Sequence, residues 1–217
     1  MNKQTFLTLL ATFALLFSFT FSCHAKGKDK AKHVVFIGLD GWGAYSLPKA
    51  DMPNVKKLME DGAYTLKKRS ALPSSSAINW ASMFMGAGPE LHGYTEWGSK
   101  TPELPSRVLN KNGIFPTVFQ LLRDARPEAE IGCLYEWEGI KYLVDTLSLS
   151  YHYHVADCNK TPKELGNMAS SYIKEKHPAL VAICYDGPDH TGHTAGHDTP
   201  EYYEKLKELD MLSLIHI

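Results

Sequence analysis

The 217-residue chain has few cysteines, no excess of either charge, no internal repeat and no low-complexity tract. Each shortage excludes a class of protein. With the first 25 residues set aside, Cys133, Cys158 and Cys184 remain, an odd number that permits at most one internal disulfide and excludes a scaffold stapled by several. Cys133 and Cys184 fall inside apolar, strand-like runs, where a buried thiol is as natural as a bridge, so no pairing is assigned. Lys and Arg number 23 against 24 Asp and Glu, a net charge of −1, which becomes −2 without Lys3. That balance implies no nucleic-acid polymer or other polyanion as a partner. The apolar content of 44% is ordinary for a packed domain and excludes a disordered chain.

Long apolar runs are scarce too, with one exception. In residues 1–25 Lys3 is the only charged side chain, and Phe6 to Phe21 is nearly all apolar or hydroxylated, which reads as a signal peptide. Cleavage after Ala25 or lipid attachment at Cys23 would each follow, and the run is short for a membrane span. Export to the periplasm or the exterior is therefore expected, with any membrane contact limited to the signal peptide or a lipid at Cys23. Residues 26–32 form a basic spacer, and residues 33–217 are expected to form the N-terminal portion of one catalytic domain. No oligomeric state is legible.

Within that domain, His33 to Leu39 is a β-branched run that reads as a buried parallel strand delivering Asp40 at its carboxyl end. Residues 52–61 carry Val55, Leu58 and Met59 on one helical face, and residues 63–70 alternate as a second strand would. Residues 94–112 read as loop, 115–123 as helix and 130–135 as strand. Thr161-Pro162-Lys163-Glu164 is a capping box that opens a helix, 179–185 is a further strand, and Thr199-Pro200 opens a last helix. Strand and helix in alternation predict an α/β fold, a mostly parallel sheet sandwiched between helices. That helix is still running at Asp210, and 210–217 offers neither cap nor strand, so the fold is expected to be incomplete at the C-terminus or to end in foreign sequence.

Two stretches carry chemistry. Ser74-Ser75-Ser76 precedes an apolar, small-residue helix, where free N–H groups and the positive end of the macrodipole converge on one hydroxyl. Residues 186–198 pack three His and three Asp behind a strand, oxygen and imidazole donors of the kind zinc takes, with Gly187, Gly192 and Gly196 letting the backbone bend them toward one point. In an open α/β sheet, Asp40 and Asp189 leave strands at the same edge, where two cations could activate a serine hydroxyl.

The order Gly38-Leu39-Asp40-Gly41, then Pro73-x-x-Ser76-x-x-Asn79, then Gly86-x-x-Pro89-x-x-His92-Gly93, then Pro188-Asp189-x-x-Gly192-His193-x-x-Gly196 resembles the alkaline phosphatase superfamily. It is most similar to the type I phosphodiesterase and nucleotide pyrophosphatase branch. The resemblance implies hydrolysis of a small phosphate ester through a covalent intermediate on Ser76, at a site for two divalent metal ions, zinc above all. By the same resemblance Asp40 and Ser76 share one zinc, Asp189 and His193 hold the other, and Asn79 donates to a phosphoryl oxygen. His92-Gly93 is read as a structural turn. Trp80 stands where the branch often has His; with Tyr94 and Trp97 it is a candidate to stack on a nucleobase or aryl group, at least one of the three being core. The family's remaining ligands fall beyond residue 217, so the chain alone is expected to be inactive. No Cys/Ser-x-Pro-x-Arg motif supports a sulfatase, and export disfavours a sugar-phosphate mutase. A secreted phosphomonoesterase and a non-catalytic binding module on the same fold remain alternatives.

Overall fold

The computed structural model describes residues 31–156 and 162–213, so the expected signal peptide, Cys23, Cys158 and Thr161 lie outside the described residues. Four strands, β1 (Val34–Leu39), β2 (Ile131–Tyr135), β3 (Tyr151–His154) and β4 (Leu180–Tyr185), form one sheet in the order β1-β4-β2-β3. Every pairing is parallel. Parallel neighbours need crossovers. Helices α1 (Pro53–Asp61), α2 (Ser76–Met85), the single turn α3 (Pro89–His92) and α4 (Val118–Ala125) separate β1 from β2. Helix α5 (Pro162–Lys176) leads into β4, and α6 (Gly187–Ala195) and α7 (Pro200–Ser213) follow it.

Alternation along the strands divides the core between the two faces of the sheet. Cys133, Tyr135, Ala182 and Cys184 pack with Ala77, Trp80, Ala81 and Phe84 of α2 and Phe119 of α4. Leu134, Val181, Ile183 and Tyr185 point the other way, onto Leu165, Ala169 and Tyr172 of α5 and Leu209 and Leu212 of α7. The sheet is therefore flanked by helices on both faces, and both described cysteines are buried and free. Thr117 caps α4 by accepting the Gln120 N–H at 3.2 Å, which places that helix slightly later than its apolar spacing suggests. Among the described residues no helix is long and apolar enough to cross a membrane.

Four expectations are corrected. Residues 63–70 form no strand: Tyr64 is 63% and Leu66 47% exposed, and a run carrying Lys67, Lys68 and Arg69 finds no ladder partner to bury against. Strand β1 is not buried on both faces, because among the described residues it pairs only with β4 and Val34, Val35 and Ile37 stay exposed. The histidine-rich stretch is a helix rather than a bent loop. Asp210 is not idle: its buried carboxylate accepts the Asn54 and Val55 N–H groups at 3.0 and 2.8 Å, capping the first turn of α1 from α7. With Leu212 in the core, the chain belongs to the fold at least that far.

Candidate active site

The register pairs Leu39 with Tyr185, so the residues after β1 and β4 leave neighbouring strands at the same, carboxyl-terminal edge. The Asp40 N–H continues the ladder to the Tyr185 carbonyl at 2.9 Å. Its carboxylate is held on both oxygens: Oδ1 accepts the Gly41 N–H at 2.9 Å and Oδ2 the Trp80 indole N–H at 3.0 Å. Gly41 has φ +67°, and a Cβ there would lie 2.5 Å from the Asp189 Cα. The Asp40 turn thus rests directly on the first turn of α6.

Because that stretch is helical, Asp189 and His193 are one turn apart on one face. His193 Nε2 lies 3.4 Å from Asp189 Oδ2. Burial, and then the charge of Asp40, push the Asp189 carboxyl above the usual carboxylate range, while His193, His197 and His190 oppose the rise. Ser76 is the first residue of α2, preceded by extended Ser75, whose Oγ is buried without a hydrogen-bond partner among the described residues. Asn79 fastens this turn: its Oδ1 accepts the Ala71 N–H at 2.8 Å, and its Nδ2 donates to the carbonyls of Ser75 at 3.0 Å and Ala71 at 3.4 Å. Both amide hydrogens therefore point at backbone, not at the free position a phosphoryl donor would have.

A cavity of about 890 Å³ joins these groups; Asp40, Ser76, Asn79, Asp189 and His193 all line it. Of the three aromatic candidates, Trp80 and Tyr94 are core and Trp97 is 66% exposed. Trp97 lies 6.4 Å from Trp137 across a side recess that also reaches Ser76, Asp189 and His193. His92 is fully buried, accepting the Tyr94 N–H on Nδ1 at 3.1 Å with Ser82 Oγ 3.1 Å from Nε2, as a structural turn requires.

Three contributors went unassigned in the sequence. Tyr202 of α7 is fully buried, donates its hydroxyl to the Gly41 carbonyl at 2.8 Å and accepts the Gly43 N–H at 3.2 Å, latching the Asp40 loop. Lys68, from the run expected to be a strand, lines the cavity. His197 also lines it, its ring lying on Gly192, where a Cβ would meet the imidazole at 2.4 Å. It belonged to the counted histidines, but it follows α6, and only the fold shows its ring turned back onto Gly192.

Residues 34–212 match the family model described as type I phosphodiesterase / nucleotide pyrophosphatase. The chain belongs to that family. A search of curated proteins finds no match. Among solved structures it resembles murine ectonucleotide pyrophosphatase / phosphodiesterase 5, an inactive form of which was solved in complex with AMP, with a TM-score of 0.66 and 17% identity over 85% of this chain and 51% of that one. It also resembles phosphonoacetate hydrolase from Sinorhizobium meliloti in complex with phosphonoformate, with a TM-score of 0.60 and 18% identity over 84% of this chain and 52% of that one. An alkaline phosphatase superfamily protein from Vibrio parahaemolyticus aligns with a TM-score of 0.56 and 15% identity over 86% of this chain and 50% of that one. At such identities these likenesses show the fold, and the chain spans about half the length of each.

Two carboxylates, an imidazole and a hydroxyl suit a divalent zinc ion by type, and Asp189, whose carboxyl is raised by burial and by the charge of Asp40, is an acid a cation would relieve. By number the set is short: among the described residues no group of three or more His, Cys, Asp and Glu is arranged to hold a metal ion.

Proposed function

We propose that the protein is the catalytic portion of a phosphoric ester hydrolase that cleaves phosphodiesters with Ser76 as nucleophile, at a site for two divalent cations, most suitably zinc. The observation that supports this reading is the convergence of Asp40, Ser76, Asp189 and His193 on one cavity at the carboxyl edge of the sheet, in a chain of this family.

Asp40 and Ser76 would hold one cation, Asp189 and His193 the other. Bound there, the ions would lower the pKa of the serine hydroxyl and place positive charge beside the phosphoryl oxygens. The chain contributes the geometry. Ser76, at the start of α2, presents Oγ beside the free N–H groups of the first helical turn, where negative charge is favoured. Its oxygen forms the new bond to phosphorus as the bond to the leaving oxygen breaks, the hydroxyl proton passing through water to that oxygen to release the alcohol. Water then cleaves the phosphoserine, releasing the second product and restoring the hydroxyl. Asn79 keeps the serine turn in place, and its longer bond, to the Ala71 carbonyl, is the one a phosphoryl oxygen would replace. A planar leaving group has Trp97 and Trp137 to pack against.

Two protein ligands per cation, where zinc takes three or four, make weak sites, so this chain alone is expected to be inactive. A phosphomonoesterase reading has one observation in its favour: Lys68 lines the cavity and makes no ion pair among the described residues, leaving a cation for the second charge of a monoester. Rates of a longer form of the protein on an aryl phosphodiester and an aryl phosphate, with zinc supplied, separate the two, and faster monoester cleavage would overturn the diesterase preference. Ser76→Ala is expected to abolish turnover. Unchanged turnover would remove the nucleophile assignment, and no zinc-dependent hydrolysis even by a longer form of the protein would favour a binding module. Export rests on residues 1–25, and N-terminal sequencing of the secreted protein, expected to begin at Lys26, tests it.

A further inference from the structure

We infer that Trp80 is a positioning residue for Asp40, whose indole N–H fixes the carboxylate and thereby sets the cation affinity of the Asp40–Ser76 half of the site; this rests on the two-cation reading above. The indole is 3% exposed. One face stacks on Phe84 at 5.6 Å and 25°, and Phe36 meets it edge-on at 6.4 Å and 69°. The ring also lies against β1 at Gly38, where a Cβ would come within 2.3 Å of Cη2. Strand β1 is bare at the one position the indole must cross to reach the acid two residues further on.

With the ring enclosed in this way, Trp80 offers the cavity it lines only a sliver of surface, and its one polar atom goes to Asp40 Oδ2 at 3.0 Å. The bond is charge-assisted and partly shielded from water, which strengthens it. Each carboxylate oxygen has one donor, Oδ1 from Gly41 and Oδ2 from Trp80, so each keeps a lone pair for a cation. Trp80 also stands one turn after Ser76 on α2. One rigid side chain therefore ties the acid that follows β1 to the helix that carries the hydroxyl.

Zinc titration of the whole chain tests this, with Asp40→Asn and His193→Ala identifying which binding component belongs to which half. Trp80→Phe keeps the ring and removes the donor. It is expected to weaken the Asp40 component by about 10-fold or more, as loss of a ligand's supporting hydrogen bond does, and to leave the His193 component unchanged. An unchanged Asp40 component, or equal weakening of both, overturns the inference while the two-cation reading stands. No zinc binding by the wild type overturns both. In case the Trp80→Phe chain does not fold, the wild type carries a second readout: of four indole N–H resonances, one is expected to be displaced by the carboxylate and to return in Asp40→Ala. Four resonances unmoved by Asp40→Ala overturn the inference.

Discussion

The contact between the Asp40 turn and helix α6 is the joint on which the site depends, and Gly41→Ala attacks it directly. Gly41 has φ +67°, where a side chain costs about 1–2 kcal/mol through its clash with the following carbonyl. Its new methyl would also lie 2.5 Å from the Asp189 Cα, with the Asp189 nitrogen at 2.9 Å. Backbone cannot step aside as a flexible side chain does, so overpacking adds roughly 1–3 kcal/mol. Gly113 is the control: it too has positive φ, at +79°, but nothing lies within 4 Å of its ideal Cβ. Gly113→Ala is expected to cost only the conformational part. Urea unfolding of both variants, extrapolated linearly, should show Gly41→Ala the more destabilising by roughly 1–3 kcal/mol. Equal losses would mean that the Asp40 turn does not rest on α6, and the shared site would lose its foundation.

Other outcomes follow from neighbouring contacts. Tyr202→Phe strips the latch from Gly41 and Gly43, leaving two backbone groups without it, and is expected to cost about 1–3 kcal/mol by urea unfolding; a loss below about 0.5 kcal/mol would show those groups reach water instead. Glu136 is buried just after β2, with Oε2 accepting the Asp186 N–H at 2.7 Å and Oε1 without a hydrogen-bond partner among the described residues. Burial above all, with the charge of Asp186 adding to it, pushes its carboxyl up to about 7, while the N–H bonds from Asp186 and Gly187 and the charge of Lys205 offset part of the rise. The folded state then holds a proton that the unfolded state releases near 4.5, so this group's contribution is full at lower pH and is lost as pH rises through that window. The loss is at most about 3 kcal/mol, at 1.36 kcal/mol per pH unit. Glu136→Gln should flatten that part of the stability profile, and an unchanged slope would assign it elsewhere. Cys133 and Cys184 are buried, with desolvation holding the Cys184 thiol well above its ordinary pKa; peptide mapping should find both unlabelled by a thiol reagent until the chain unfolds, and rapid native labelling would refute the packed sheet face.

Much of the fold was legible because its signals are local. The β-branched runs ending at Leu39 and Tyr185 became parallel neighbours, and the apolar spacing of Leu165, Ala169 and Tyr172 became a buried helical face. Failures came where pairing, not composition, decides. Residues 63–70 have a strand's alternation but no partner, and Tyr151–His154 pairs with β2 despite a polar sequence, its Tyr151 stacking on Tyr172 at 5.0 Å. Glycines at 187 and 192 suggested a loop, yet Gly192 sits inside α6 because the His197 ring needs the space a Cβ would fill. The chemistry-bearing residue types stood out in sequence, whereas the groups that hold them did not. Trp80 looked like a stacking surface, and only the fold shows its N–H at Asp40; Tyr202, some 160 residues from the loop it latches, has no local signature at all.

The central claim is that Asp40 with Ser76, and Asp189 with His193, grip divalent cations at one cavity. Diffraction from crystals of the protein soaked in zinc, recorded at the zinc absorption edge, tests it most directly. The account predicts two anomalous peaks, one beside Asp40 and Ser76 and one between Asp189 and His193, at ligand distances of about 2.0–2.2 Å. Peaks on other histidines, or none in the cavity at saturating zinc, would contradict it.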